Sequence, residues 1–198
     1  MNSRVTISNC LFYDNDAEMG SDVLYGGDGS LSVENCTFAS TAFPNIWKYA
    51  NDSSGPTRFV NTIIWGHETA FHGPEWIVTY SDVLGGFPGV GNISEDPLFV
   101  NADGGDFHLQ ANSPCIDSAS VNGPVNDLDG NARPLDVPGT GRDGTGDEFD
   151  MGAYEYIPAP TPTPTMVNPR SDIDESGKVD AADLLHLLCD WYKRSQDG

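Results

Sequence analysis

Oxygen-bearing positions recur at short, regular intervals in the acidic segment that runs from residue 172 to residue 183. Loop positions 1, 3, 5, 7, 9 and 12 hold Asp172, Asp174, Ser176, Lys178, Asp180 and Asp183. Five of these would offer side-chain oxygens, Asp180 directly or through water, and Lys178 would offer its backbone carbonyl. Calcium takes about six to eight oxygens, and Gly177, which has no Cβ, permits the sharp turn that wraps a short loop around one ion. The sequence therefore predicts a calcium site at these six residues.

The spacing is that of an EF-hand calcium loop, but the flanking sequence differs from an ordinary EF-hand. Pro169 opposes a helix that enters the loop. A helix that leaves the loop is predicted, with Asp180 as a candidate N-cap, because four apolar residues recur at helical spacing: Leu184, Leu187, Leu188 and Trp191. The alternative is an acidic, solvated turn ahead of a helix.

A calcium loop with only a leaving helix, and with Asp at its last position, resembles a type I dockerin repeat over roughly residues 170–193. Dockerins attach secreted enzymes, often polysaccharide-degrading ones, to cohesin domains on a scaffold. The resemblance therefore implies a cohesin-like scaffold domain or a cell-surface component as partner. Such modules usually carry two repeats, whereas this chain has one, and Ala181 and Ala182 stand where the partner-reading residues are often Ser and Thr.

A proline-rich stretch separates this segment from the rest of the chain. Residues 157–168 read IPAPTPTPTMVN, and such alternation of Pro and Thr favours an extended linker without a packed core. The sequence therefore predicts a body at 1–156, a linker at 157–168 and a calcium-binding segment at 169–198.

The body contains an internal repeat. Asn9, Asn35 and Asn61 are spaced 26 residues apart, and two rows of apolar residues keep the same step: Ile7, Val33 and Phe59, then Phe12, Phe38 and Ile64. A period of about 20 to 30 residues built on short strands predicts a solenoid. We therefore predict an all-β fold, a right-handed parallel β-helix whose equivalent residues stack about 4.8 Å apart. An antiparallel β-sandwich is the alternative.

The stacking predicts particular neighbours. The three asparagines would form a ladder of side-chain amides at a bend, and Cys10 and Cys36 would be adjacent, as thiols or as a disulfide. Residues 96–156 are predicted to form an irregular C-terminal cap, because the end of a solenoid must be covered. Apolar residues that could plug this end are Leu98, Phe99, Phe107, Leu109 and Ile116.

Several pieces of the body resemble the C-terminal region of secreted bacterial right-handed β-helix proteins that carry interchangeable C-terminal anchors. The pieces are NTIIWGH (61–67), VTYSDVLGG (78–86), NISEDPLFV (92–100), GGDFHLQANSPCIDSA (104–119), DLDGNARP (127–134) and DMGAYEY (150–156). The resemblance implies a β-helix and an extracellular or cell-surface location, but no single reaction. Because the first residues read as a strand already under way, we expect the chain to be the C-terminal part of a longer protein.

Composition excludes some partners. With 30 acidic and 9 basic residues the net charge is −21, which opposes nucleic-acid binding, since phosphates need clustered Lys and Arg. The sequence has no apolar run of about eighteen residues, so no membrane span is predicted. A second acidic run at Asp127, Asp129 and Asn131 is half a calcium loop, or a turn in which Arg133 pairs internally.

Catalytic residues are less clearly marked than the calcium loop. Arg4 and Arg58 could serve a polysaccharide lyase together with nearby acids, and His72 precedes a glycine as in some hydrolases; the acids are Asp14, Asp16, Asp22 and Asp28. No spacing selects this set, so we predict no catalytic or cofactor-binding residues. The expected role is calcium-dependent attachment in polysaccharide binding or degradation. A fragment of a polysaccharide lyase or glycoside hydrolase, and an adhesin or stalk, are the alternatives.

Overall fold

The computed structural model describes residues 4–15, 23–26, 29–39, 46–49, 55–66, 71–72, 75–142 and 149–159, with only the backbone at 23–26, 46–49 and His72. The chain divides into two compact units, Met1–Pro158 and Ala159–Gly198. Apart from Ala159, the described residues belong to the first unit. The predicted calcium segment, 169–198, lies outside them, as does the predicted linker beyond Ala159.

Short strands follow one another in a repeating order of three. They are β1 (Arg4–Ser8), β2 (Leu11–Tyr13), β3 (Val23–Gly26), β4 (Ser30–Glu34), β5 (Thr37–Ala39), β6 (Ile46–Tyr49), β7 (Thr57–Val60), β8 (Ile63–Trp65), β9 (Phe71–His72), β10 (Trp76–Thr79) and β11 (Asp82–Val83). Each strand pairs in parallel with the strand three places later, which builds three parallel sheets: β1-β4-β7-β10, β2-β5-β8-β11 and β3-β6-β9. Three strands and their connections make one coil.

A two-residue turn joins the first and second strands of each coil. Its first residue is Asn9, Asn35 or Asn61 in the first three coils, with φ of 50°, 50° and 56°. Asparagine tolerates this left-handed backbone better than most residues that carry a Cβ. Tyr80 takes the same position in the fourth coil, with φ of 50°. The backbone of the turn, as well as side-chain bonding, therefore explains the repeated asparagine.

The interior of the coils is apolar and aligned between coils as the 26-residue repeat predicted. Ile7 pairs with Val33, and Val33 pairs with Phe59. The second row is also in register, and the rings of Phe12 and Phe38 stack with their centroids 4.6 Å apart. Val33, Phe38 and Phe59 are fully buried. Cys10 and Cys36 occupy neighbouring turns as free thiols, of which Cys36 is buried.

An antiparallel hairpin and an irregular segment follow the coils. The hairpin consists of β12 (Phe99–Asn101) and β13 (Asp106–Leu109), with a 3-10 turn at Ala102–Gly104 between them. We call residues 111–142 and 149–157 the clamp. Hairpin and clamp form a second core with Ile63 of β8, and its buried members include Leu109, Ile116 and Met151. Leu109 and Ile116 were predicted to help plug the end of the coil stack, but they pack with Ile63 against the outer face of the second sheet.

Part of the clamp, residues 120–126, runs along the row of turn asparagines, and we call it the strap. Asn61 bonds to Ser120 and Asn122. A Cβ on Gly123 would lie 2.7 Å from Oδ1 of Asn35, and Nδ2 of Asn9 donates to the carbonyl of Asn126. The strap therefore passes the third, second and first coils in turn.

The predicted amide ladder is present in part. Nδ2 of Asn61 donates to Oδ1 of Asn35 at 3.4 Å, whereas Asn9 turns to the strap instead. The all-β fold of stacked parallel strands, solenoid-like in its strand order, is confirmed, and the antiparallel alternative is wrong for the coils. In the part of the chain that the structure describes, no helix has the length and apolar character needed to cross a bilayer.

Candidate functional site

The six predicted calcium ligands all lie outside the described residues, so their prediction stands on the sequence alone. They are Asp172, Asp174, Ser176, Lys178, Asp180 and Asp183. Within the described ranges, no three His, Cys, Asp or Glu side chains are grouped so as to hold a metal ion.

The second acidic run forms a closed turn. The carboxylate of Asp127 accepts hydrogen bonds from the backbone and side-chain nitrogens of Asn131 at 2.8 and 3.0 Å, and from the backbone nitrogen of Glu155 at 3.1 Å. Burial acts to raise the pKa of Asp127, but these hydrogen bonds lower it overall. The carboxylate of Asp127, the first oxygen ligand that half a calcium loop would offer, is thus already engaged within the clamp.

Charged side chains meet inside the clamp next to this turn. Arg133 is buried and lies 3.4 Å from the carboxylate of Glu155, and it donates to the carbonyl of Gly152 at 2.9 Å. Asp150 accepts from the backbone nitrogens of Asp117 and Tyr156. Burial raises the pKa of Asp150 to about 7 and also raises that of Glu155. Arg133 does pair internally, as one reading of the sequence predicted, and this cluster is a structural element of the clamp.

Another buried carboxylate belongs to the coils. Asp82 of β11 is fully buried, and the thiol of Cys115 donates to its Oδ2 at 3.2 Å. Its other oxygen accepts from the backbone nitrogen of Glu95. Burial raises the pKa of Asp82 to about 6 and raises that of Cys115 well above its usual value. A thiol with a raised pKa is a poor nucleophile, so this pair joins coil to clamp rather than performing chemistry.

A groove with aromatic walls lies between the second sheet and the hairpin. Tyr13, Ala39 and Trp65 are in register on successive coils, so two aromatic residues flank an alanine. The ring of Tyr13 packs against Phe107 with centroids 5.2 Å apart, and Phe107 meets Phe99 edge to face at 5.1 Å. The hairpin therefore keeps the ring of Tyr13 in place, and this ring forms one wall of the groove.

The arrangement of the groove depends on local backbone features. Gly105 has φ of 81°, and a Cβ there would lie 3.2 Å from the hydroxyl of Tyr13. Trp65 packs against the second core. Asn101 accepts from the backbone nitrogen of Gly104 at 3.2 Å, which fixes the 3-10 turn that carries Asp103. Most of the lining is thus in place before any ligand arrives.

Two carboxylates line the same groove. Asp14 follows β2 in a left-handed backbone conformation, with φ of 52°, and Asp103 lies on the 3-10 turn. Both are exposed, and within the described residues neither carboxylate accepts a hydrogen bond or forms an ion pair. The groove has a volume of about 350 Å³, which is within the range of small-molecule sites, roughly 300–1,000 Å³.

From the sequence alone, the aromatic residues in or beside the loops of the body could either stack on sugars or pack over the solenoid; they are Trp47, Tyr49, Trp65 and Trp76. Trp76 packs on the coil interior, with its ring centroid 5.2 Å from that of Phe71. Trp65 lines the groove. The 26-residue spacing from Tyr13 to Ala39 to Trp65 was a signal that could have found the groove, because these residues point outward beside the inward row.

The residues considered for a lyase do not come together in the described part of the chain. Arg4 and Arg58 line a separate hollow with Ser30 and Ser32, whereas Asp14 lines the aromatic groove. The remaining candidates, Asp16, Asp22, Asp28 and the side chain of His72, lie outside the described residues.

One histidine bridges hairpin and clamp. Nδ1 of His108 lies 2.6 Å from Asp106, and Nε2 lies 2.8 Å from Asp129. Partial burial acts to lower the pKa of His108, but the hydrogen bonds to both carboxylates raise it overall. The ring also packs on Tyr154, with centroids 4.2 Å apart.

No protein-family model, no curated protein and no solved structure matches this chain.

Proposed function

We propose that the body of this protein is a right-handed parallel β-helix and that its tail is a calcium-dependent attachment module. The tail would hold the protein on a scaffold or at the cell surface, where polysaccharides are bound or degraded. The observation that carries the proposal is the spacing of the six candidate calcium ligands between Asp172 and Asp183. The proposed role is attachment rather than catalysis.

The β-helix part of the proposal is supported by strand order. The chain passes through three parallel sheets in sequence and returns to the first, three times over. A connection that returns to a parallel strand of the same sheet is right-handed in about 98% of cases, which is why we assign that hand.

The attachment part of the proposal follows from the chemistry of the tail. A single short loop with one helix buries too little apolar surface to fold stably by itself. Binding of an ion would therefore also fold this segment. The apolar stripe of Leu184, Leu187, Leu188 and Trp191 would then be available to a partner. A cohesin-like domain or a cell-surface component is the partner that fits this arrangement.

Calcium titration of the whole chain by isothermal calorimetry tests the proposal. We expect one ion per chain, with a dissociation constant in the weak extracellular range of about 10⁻⁴–10⁻³ M. Asp172→Ala and Asp183→Ala should each abolish this binding. Asp136→Ala, which removes an exposed carboxylate of the body, is the matched control and should leave it unchanged.

Two results would refute the proposed calcium loop. One is a chain that binds no calcium at millimolar concentration. The other is binding that survives Asp172→Ala and Asp183→Ala together, because the ion would then occupy some other part of this acidic protein.

A further inference from the structure

The groove between the second sheet and the hairpin combines aromatic walls with carboxylates that have no protein partner in the described residues. We propose that it binds a protonated amino sugar, with the sugar ring between Tyr13 and Trp65 and the ammonium group at Asp14 and Asp103. This site rests on the proposed role in polysaccharide binding, but it does not depend on the calcium loop.

The spacing of the walls suits a flat, ring-shaped ligand. Tyr13 and Trp65 are two coils apart with Ala39 between them, so their backbones are separated by two strand spacings, roughly 9.5 Å. The small side chain of Ala39 leaves the space between the aromatic residues open. Aromatic faces are electron-rich and attract the polarised C–H groups on the apolar face of a sugar ring.

The charges of the groove select a cation. Asp14 and Asp103 can each accept hydrogen bonds from an ammonium group. The aromatic faces of the groove attract the same positive charge. The net charge of the chain, −21, adds a long-range attraction for a positive ligand and opposes an acidic one.

Size distinguishes an amino sugar from a simple organic cation. The groove measures about 350 Å³, more than a tetramethylammonium ion fills. A neutral sugar would use the aromatic walls but would leave both carboxylates without a charged partner. An amino sugar uses the walls and the carboxylates at once.

The groove is also preformed, which lowers the entropic cost of binding. Phe107 supports the ring of Tyr13 at a centroid distance of 5.2 Å. Trp65 packs on a buried cluster, and a hydrogen bond between Asn101 and Gly104 fixes the turn that bears Asp103.

Calorimetry with three probes tests the proposal: a glucosamine disaccharide, its N-acetylated counterpart and tetramethylammonium. The full chain is used without calcium, at about pH 6, where a primary amine is protonated. We expect the glucosamine disaccharide to bind at least about tenfold more tightly than either of the other probes. Its binding should weaken as salt is added, because the carboxylates are exposed.

Variants with matched controls locate the binding. Asp14→Asn with Asp103→Asn should weaken it at least about tenfold, whereas Glu95→Gln with Asp136→Asn, which makes the same change in net charge on exposed residues elsewhere, should not. Ala39→Leu should abolish binding by filling the space between Tyr13 and Trp65, and Ala111→Leu at another exposed site should not. Tyr13→Phe should retain binding that Tyr13→Leu loses.

Each contrary result overturns a stated part of the proposal. Equal binding of the N-acetylated disaccharide overturns the requirement for charge. Equal binding of tetramethylammonium overturns the role of the sugar ring. An equal loss of affinity in the two double variants would show that the ligand responds to the net charge of the protein and not to the two carboxylates of the groove. If Ala39→Leu does not fold, the two Tyr13 variants decide. Calcium titration of the same samples separates failure of this site from failure of the calcium loop.

Discussion

The coils and the clamp bury different kinds of side chain. The interior of the coils is apolar, with Val33, Phe38 and Phe59 fully buried and aligned from coil to coil. The clamp buries charges instead: Arg133, Asp150 and Glu155 are each 5% exposed or less. One region is built by repetition of a local pattern, and the other by a cluster whose members are distant in sequence.

This difference predicts different responses to substitution. Apolar stacking loses stability in proportion to the surface and volume that a mutation removes. A buried charge cluster behaves differently, because removal of one partner leaves another charge buried without compensation. The clamp should therefore be the region that a single change of charge damages most.

The largest effect is expected at Arg133. Arg133→Met should lower the free energy of unfolding by about 3–5 kcal/mol, because Glu155 and Asp150 would then either stay charged in a buried site without a cation or have to take up protons for the chain to fold. Urea denaturation followed by circular dichroism measures the loss. Arg142→Met, at an exposed arginine of the same segment, is the control and should have almost no effect.

A double variant checks the physical reason. Arg133→Met with Glu155→Gln should recover part of the loss, since the uncompensated carboxylate is then gone. If Arg133→Met alone costs less than about 1 kcal/mol, the clamp is not held by its charges and the comparison with the coils fails.

The next effect concerns the contact between the two regions. Oδ1 of Asn61 accepts from the backbone nitrogen and the hydroxyl of Ser120, and its Nδ2 donates to the carbonyls of Ser120 and Asn122. Asn61→Gly keeps the left-handed turn but deletes these bonds, and should cost about 2–3 kcal/mol. Asn61→Ala should cost about 1–2 kcal/mol more than Asn61→Gly, because the left-handed backbone conformation is strained for alanine.

Asn35→Gly is the matched control for Asn61→Gly. Asn35 has the same turn conformation, but among the described residues its side chain makes only one hydrogen bond, a long one of 3.4 Å that Oδ1 accepts from Asn61. The expected loss is about 1 kcal/mol or less. Equal losses at the two asparagines would mean that the strap adds nothing to the stability of the coils.

The coils were predictable from the sequence because their determinants are local and repeated. The 26-residue step placed Ile7, Val33 and Phe59 in one stack, and the structure pairs them in that order. The strap was not predictable, because Asn61 and Ser120 are 59 residues apart and the strap offers mainly backbone groups, which every sequence carries. No pattern of side chains marks such a contact.

The aromatic groove and the calcium loop also differ in how far local sequence patterns predict them. The row of Tyr13, Ala39 and Trp65 follows the repeat and could have been read from it. Its closure by Phe99 and Phe107 depends on where the hairpin folds back, which no local signal gives. The calcium loop is the reverse case: its pattern is entirely local, and it stays a prediction because its residues lie outside the described ranges.

A smaller effect, of opposite sign to the first, is expected at the buried carboxylate of the coils. Burial raises the pKa of Asp82 from 3.8 to about 6, so the folded state holds this proton more tightly than the unfolded state does. The contribution of Asp82 to stability is therefore full below about pH 4 and is lost as the pH rises to about 6. Asp82→Asn removes the titration and should stabilise the protein by about 2 kcal/mol at pH 7.

Denaturation at several pH values measures this change. The difference between Asp82→Asn and the parent chain should grow between about pH 4 and pH 6 and then stay constant. Asp136→Asn, at an exposed carboxylate, should show no such change. If Asp82→Asn instead destabilises the protein equally at all pH values, the hydrogen bonds of Asp82 stabilise the fold more than its buried charge destabilises it.

The smallest effect is at the histidine that joins hairpin and clamp. The carboxylates of Asp106 and Asp129 raise the pKa of His108, so the charged bridge contributes fully below the ordinary histidine pKa of about 6.5 and weakens as pH rises through the raised value. NMR titration of the ring protons should give a pKa above that ordinary value. Asp129→Asn should lower the pKa of His108, because Nε2 then loses its charged partner, whereas Asp136→Asn should not.

Since all three side chains are partly exposed, solvent screens the bridge. Loss of the bridge should therefore loosen the contact between hairpin and clamp without unfolding the coils. A pKa that stays the same in Asp129→Asn would show that the carboxylate of Asp129 does not contact His108 in solution.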